Sequence, residues 1–228
     1  MTVGLSKATV FRILGRLGMN RLKSLEPAEP VRRYERAAPG EMIHIDIKKL
    51  GRFSQVGHRI TGDRTVRTRG TERGKPGWEF VHVCIDDASR VAFTQIKPDE
   101  KRESAISFLR AAVAYYASLG ITVQRVMTDN GSCYKAFAFR DACKQLGLNH
   151  IRTKPYTPKT NGKAERFIQT ALREWAYAQA YENSDQRADV MPIWLHRYNW
   201  HRPHGSLNAQ TPISRLGLTG DNVMRLHT

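Results

Sequence analysis

Residues 42–50 carry an alternating apolar and polar run, unbroken from Ile43 to Lys48, and this run restricts the fold more than any other stretch of the chain. Ile43, Ile45 and Ile47 fall on one face of an extended strand, and His44, Asp46 and Lys48 on the other. Such a strand must lay its isoleucines on an apolar layer. It also carries Asp46 in mid-strand, where a charge is disfavoured unless it has a partner.

Two more β-rich runs follow, residues 80–85 and 91–96, joined by the turn Asp86-Asp87-Ala88-Ser89. Asp99 is suited to cap a long helix in which Ile106, Leu109, Val113 and Tyr116 form one stripe, ending at Gly120. Residues 121–128 predict a strand, stopped by the turn signal Asp129-Asn130-Gly131. A helix over residues 135–146 puts Phe139, Ala142, Cys143 and Leu146 on one face and stops at Gly147. A short strand over 148–152 then leads into a Pro- and Thr-rich loop, a helix over 162–181 and a helical region ending near Trp200. Three strands followed by alternating helices and strands imply an α/β fold, a mixed sheet flanked by helices.

Ahead of this region Ser6 can cap a helix running to about Leu17, with Val10, Ile13, Leu14 and Leu17 at helical spacing and Gly18 as the stop. With Gly4 and Leu5 it reads as the turn and second helix of a helix-turn-helix. Residues 22–40, with Pro27, Pro30 and Pro39, read as a linker, and residues 51–77, rich in Gly and Arg, as an exposed basic hairpin or loop. The expected organisation is a partial helix-turn-helix over 1–24, a linker over 25–40, the α/β core over 41–182 and a C-terminal helical extension and tail over 183–228.

Lys and Arg number 37 against 21 Asp and Glu, a formal net charge of +16. That excess attracts polyanions, nucleic acid first among them, although a merely soluble or ribosome-associated basic protein would share it. No run approaches the ~20 apolar residues of a spanning helix, and the first ten residues lack the apolar centre of a signal peptide. Cys84, Cys133 and Cys143, an odd number without Cys-x-x-Cys spacing, fit reduced thiols in the cytosol rather than a disulfide framework or a zinc cluster.

Three acids stand where chemistry could use them. Asp46 is mid-strand, Asp129 ends a strand, as sites in open α/β sheets do, and Glu165 starts a helix. From Glu165, Ile168, Leu172 and Trp175 follow at three, seven and ten residues, which turns the carboxylate toward the sheet. Arg166, Gln169 and Arg173 make a neighbouring polar face suited to a phosphate backbone. Taken singly, each acid reads as a surface or capping residue, since most acids are solvated. Taken together, carboxylates are hard oxygen ligands for two Mg²⁺ or Mn²⁺ ions, which clamp the attacking and leaving oxygens of a phosphodiester and offset the mutual repulsion of the acids.

Thirty-five residues separate Asp129 from Glu165. That spacing, with HIDIKKLGRF around Asp46, VMTDNGSCY around Asp129, PYTPKTNGKAERF around Glu165 and the tail YNWHRPHGSLNAQTPISRL, resembles the DDE transposases of insertion sequences and the retroviral-type integrases. The likeness runs through essentially the whole chain, most strongly over 34–216. It implies a ribonuclease-H-like core in which Asp46, Asp129 and Glu165 are catalytic and bind two Mg²⁺ or Mn²⁺ ions. It further implies hydrolysis at transposon ends, then attack of the freed 3′-hydroxyl on target DNA, with no covalent protein–DNA intermediate. Double-stranded DNA and other copies of the chain are the implied partners, and the bacterial cytoplasm and nucleoid the implied location. Many relatives carry a basic residue seven positions after the glutamate; here Leu172 stands there, with Arg173 next.

Lys154, Lys159, Lys163, Arg166 and Arg173 are the candidate DNA contacts, against the plainer reading of a solvated charged face. Asp86 and Asp87 are read as turn formers rather than metal ligands. His201 and His204, without cysteines at zinc spacing, position the C-terminal segment or touch DNA. Trp175, Trp194 and Tyr198 are assigned to the core. Two rivals to a transposase remain at this level: a catalytically idle DNA-binding fragment of one, favoured by the short N-terminal region, and a nonspecific nuclease. The complete set of three acids favours the enzyme.

Overall fold

Five strands form one sheet: β1 (Ile43–Gly51), β2 (Trp78–Asp86), β3 (Ala92–Lys97), β4 (Arg125–Thr128) and β5 (Asn149–Arg152). Their order across it is β3-β2-β1-β4-β5. β1 pairs antiparallel with β2, and β2 with β3, whereas β4 runs parallel to both β1 and β5. The computed structural model describes residues 4–21, 35–63, 77–153 and 161–218. It divides into two units, Met1–Tyr34 and Glu35–Thr228.

In the first unit, helix α1 (Lys7–Arg16) is capped as its sequence requires: the Thr9 amide donates to Ser6 Oγ at 3.2 Å. None of its residues is buried. The second unit holds α2 (Arg102–Ser118), α3 (Phe137–Gln145) behind the single turn Ser132–Lys135, α4 (Gly162–Ala171) and α5 (Ser184–Trp200). No helix among the described residues is long and apolar enough to cross a membrane. Cys84, Cys133 and Cys143 are buried free thiols.

Strand alternation sorts the core into two layers. Ile43, Ile45 and Cys84 pack with Phe108 and Tyr116 of α2 and with Phe139 and Cys143 of α3. Leu50, Val81, Val83 and Ile85 pack with Ala164, Phe167 and Ile168 of α4 and with Trp194 and Tyr198 of α5. Two polar groups tie the second layer down. Arg187 of α5, almost fully buried, donates to Glu79 Oε2 at 2.6 Å and to the Gly51 carbonyl at 2.8 Å. Trp175 Nε1 donates to the Arg187 carbonyl at 2.8 Å.

The structure departs from the periodicity reading in four places. Asp99 is not the N-cap of α2; Lys101 is, and Asp99 Oδ1 instead accepts from the Lys101 amide and Ser104 Oγ. The buried face of α2 is wider than the expected stripe: Leu109 and Tyr116 are buried on it with Ala105, Phe108 and Ala112, while Ile106 and Val113 pack half-buried at its edge. Residues 121–124 remain outside β4. There the Gln124 amide donates to the Gly40 carbonyl, and at Gly40 (φ +85°) a Cβ would lie 2.4 Å from the Thr122 carbonyl oxygen, so the crossing admits only glycine. The helix expected over 162–181 ends at Ala171 and gives way to a π-helical turn, Leu172–Ala176, in which the Tyr177 amide donates to the Leu172 carbonyl. The wider turn keeps Trp175 and Ala176 buried while Glu174 pairs with Arg202 at 2.8 Å through both carboxylate oxygens.

The tail motif is largely structural. Tyr198 stands edge-on between the rings of Phe167 and His204, and Leu207, Pro212 and Ile213 are buried. His204 is thus a packing residue, while His201 stays exposed. Asn199 imitates a neighbouring strand at the sheet edge, accepting from the Ala92 amide and donating to the Ala92 carbonyl, both at 2.8 Å. Asn199→Ala leaves both Ala92 groups buried without partners and is expected to cost about 1–2 kcal/mol. Thermal denaturation reads this directly, and an unchanged midpoint would remove the edge role.

Candidate active site

The fold brings the first two acids level. β1 and β4 run parallel with Ile43 opposite Val126 and His44 opposite Met127. The same offset of 83 (127 − 44) sets Asp46 beside Asp129, just beyond the end of β4. Ile43, Ile45 and Val126 belong to the α2 layer, so alternation turns Asp46 and Asp129 together toward the side on which α4 lies. Glu165 is in the first turn of α4, whose Ala164, Phe167 and Ile168 pack on β1 and β2.

The Asp46 carboxyl registers this convergence. Its pKa is pushed from 3.8 up to about 6, first by burial and then by the charges of Asp129 and Glu165, against the Ile47 amide, which donates to Asp46 Oδ1 at 2.7 Å. Asp129 is held by an Asx turn: the Gly131 amide donates to its Oδ1 at 2.9 Å. A Cβ at residue 131 would lie 3.0 Å from that oxygen, so glycine keeps the carboxylate clear. Asn130 Nδ2 donates to the Thr153 carbonyl at 2.7 Å and ties the turn to the end of β5.

Glu165 differs from its sequence reading in one respect. It is exposed, and the buried line of α4 runs through Ala164, Phe167, Ile168 and Ala171. The three-seven-ten spacing ignored Ala164, whose small side chain permits the closest approach to the sheet; Glu165 stands at the rim of the packed face instead.

Among the described residues none of the three acids enters an ion pair. The Tyr134 hydroxyl is buried without a hydrogen-bond partner. Its pKa stands well above the usual phenol value because of burial first, then the charges of Cys133, Asp46 and Asp129. Repelling carboxylates of hard oxygen character, without a cationic side chain to pair them, suit a divalent cation. The cluster is open. Among the described residues no three Asp, Glu, His or Cys side chains are gathered tightly enough to enclose an ion.

Sequence reasoning missed a polar cluster beside the acids. His44 Nε2 lies 2.8 Å from Asp87 Oδ1, and His44 Nδ1 lies 3.2 Å from Asn161 Oδ1. Lys163 pairs with Asp87 and donates to the Asp87 carbonyl at 3.3 Å. The Arg36 amide donates to Asp87 Oδ2 at 2.7 Å. Burial alone would raise the Asp87 pKa, but these donors hold it well below the carboxylate range. Asp86 is the turn former expected, accepting from the Ala88 and Ser89 amides, Ser89 Oγ and the Gly40 amide. The available signal was His44, a polar residue facing the same way as Asp46.

Of the candidate DNA contacts, Arg166 and Arg173 are exposed, Arg173 lying 3.2 Å from Glu174. Lys163 is turned inward to Asp87, with 17% of its side chain exposed. Lys154 and Lys159 lie outside the described residues.

Family models described as an integrase core domain match residues 36–158 and residues 146–212. The chain belongs to the integrase core domain family. It is 27% identical over 150 residues to a candidate integrase, ORF3, of Spiroplasma virus SpV1-C74, covering 60% of this chain and 41% of that one. It is 34% identical over 91 residues to the transposase InsD for insertion element IS2A/D/F/H/I/K of Escherichia coli, covering 40% of this chain and 30% of that one. The matched regions thus span less than half of either relative. Among solved structures, the simian T-cell lymphotropic virus intasome in complex with PP2A regulatory subunit B56 gamma aligns with a TM-score of 0.61 at 19% identity, covering 95% of this chain and 69% of that one. The catalytic core of HTLV-2 integrase, in its dimeric form with magnesium, aligns at 0.52 and 17%, covering 79% and 98%. At these identities the likeness shows the fold: the integrase core, a mixed α/β sheet flanked by helices.

Proposed function

We propose that this chain is the catalytic part of a DDE transposase that cleaves DNA at transposon ends and joins those ends to target DNA. The observation carrying this reading is that Asp46, Asp129 and Glu165 lie on one side of the sheet, where the charges of the latter two add to burial in raising the Asp46 pKa to about 6. These three residues would hold Mg²⁺ or Mn²⁺, two ions in the proposed mechanism. When bound, the ions supply Lewis-acid polarisation of the phosphodiester and a more acidic attacking water.

The chain's own residues orient that chemistry. Asp46 rides on a paired strand and Asp129 on a turn closed by the Gly131 amide, so neither carboxylate has far to move. Glu165, exposed in the first turn of α4, has room to swing toward them. Arg166 and Arg173 face solvent and are suited to phosphate contacts that set the register of a duplex. Burial first, and the charge of Asp129 next, push the Cys133 thiol up to about 11, which leaves it protonated and a poor nucleophile. That fits direct attack by water or a 3′-hydroxyl, without a covalent protein–DNA intermediate. The magnesium and the dimeric form named for HTLV-2 integrase support the cation and the assembly of copies.

The test is strand transfer with a labelled, pre-cut end of the element that encodes the chain. Joined product is expected with Mg²⁺ or Mn²⁺ and none with EDTA. Binding of the ends without any joined product in either metal would refute the reading.

A further inference from the structure

We infer that His44, Asp87, Asn161 and Lys163 form a buried clamp that positions the metal-binding carboxylates, with Lys163 acting inward rather than on DNA phosphates; this rests on the function proposed above. The clamp joins the two elements that must hold Asp46 and Glu165 together. His44 is two residues before Asp46 on β1, and Lys163 is two residues before Glu165 on α4. Asp87, wholly buried at the β2–β3 turn, receives both: His44 Nε2 at 2.8 Å and the Lys163 ammonium.

Asn161 supplies the independent sign. An asparagine in the N-cap position ordinarily accepts from the first free helix amides. Here its side chain makes no cap bond to α4. Its Oδ1 faces His44 Nδ1 at 3.2 Å, and its Nδ2 donates at 3.4 Å to the carbonyl of Ile45, in the peptide that leads into Asp46. The residue gives up local helix stabilisation for a bond across to β1. Residues two apart are turned by about 200° around a helix, so anchoring Lys163 fixes the rotation of α4 and hence the direction of Glu165. A clamp of this kind acts as the outer shell of a metal site, where single substitutions weaken metal affinity or activity by about 10–100-fold.

The decisive comparison uses the full chain with Lys163→Met, Lys163→Arg and Asn161→Ala. Hydrogen exchange is measured over residues 162–168, Mn²⁺ binding by calorimetry, and duplex binding across salt concentrations. Lys163→Met and Asn161→Ala are expected to speed exchange at the start of α4 and to weaken Mn²⁺ binding by about 10-fold or more. Duplex affinity and its salt dependence should stay at wild-type values. Lys163→Arg, which can still pair with Asp87, should restore Mn²⁺ binding. A purely structural role would lower the melting temperature while leaving the Mn²⁺ affinity of the folded protein intact, and that result overturns the inference. So does a salt slope reduced by about one in Lys163→Met, which marks a phosphate contact. Should Lys163→Met not fold, Asn161→Ala decides alone. Wild-type protein that fails to bind Mn²⁺ counts against the proposed function, while the exchange comparison still decides whether the clamp holds α4.

Discussion

Asp46→Asn, Asp129→Asn and Glu165→Gln are each expected to lower strand transfer by roughly 10³-fold or more, because the phosphodiester then loses the cations that stabilise its developing charge. Each substitution keeps the size of the side chain and removes its formal charge. Packing gives no reason for collapse: Asp129 and Glu165 are exposed, and an asparagine Oδ1 at position 46 can still accept from the Ile47 amide. DNA binding should stay within a few-fold of wild type, since phosphate contacts come from Lys and Arg. Strand transfer and duplex binding are measured side by side on the same preparations. More than a tenth of wild-type joining in any one variant would remove that residue from the catalytic set.

The second large effect is on stability and has the opposite sign. Folded Asp46 takes up its proton near pH 6, whereas an unconstrained aspartate does so near 3.8. Between those values the folded state holds more protons than the unfolded chain, so this residue favours folding below about 3.8, and the advantage is lost as the pH rises through 6. Above pH 6 the metal-free protein therefore carries the whole penalty of an ionised Asp46, set first by its burial and then by the charges of Asp129 and Glu165. A shift of about two units, reduced for partial solvent access, corresponds to roughly 1–3 kcal/mol. Asp46→Asn removes it. In EDTA at neutral pH the variant should melt several degrees above wild type, at about 2–4 °C per kcal/mol for a chain of this size. Near pH 4 the two should converge. Asp87, whose pKa is depressed, works the other way: its contribution is full above about 3.8 and is lost as the pH falls below the carboxylate range. Mn²⁺ should raise the melting temperature of the wild type and not that of Asp46→Asn. A variant less stable than wild type in EDTA at pH 7 would contradict the account of Asp46 as a strained acid.

Stability given up at a site proposed to bind cations matches the familiar exchange between stability and activity. It also explains why the site is legible at two levels. The alternation around Asp46, the turn signal after Asp129 and the helix start before Glu165 are local patterns, and each depends only on side-chain spacing along the chain. They specified a mixed sheet flanked by helices and named the three acids. Local patterns also supplied the tail motif, but not its purpose; that Asn199 would close the sheet edge at Ala92 is a contact across 107 residues of sequence.

What only the tertiary structure decided depends on register and on phase. The β1–β4 pairing that sets Asp46 level with Asp129 is a choice of offset between segments 83 residues apart, and periodicity within either strand is indifferent to it. The rotation of α4 about its axis follows from Ala164 fitting against the sheet and from Lys163 reaching Asp87; apolar spacing alone turned Glu165 too far inward. The π turn after Ala171 is likewise invisible to a search that assumes one helical period. His44 and Asp87 look like a strand residue and a turn residue when read in sequence, and Asn161 draws no reading there at all. Burial joins them, because a carboxylate taken out of water must find its donors wherever the fold brings them.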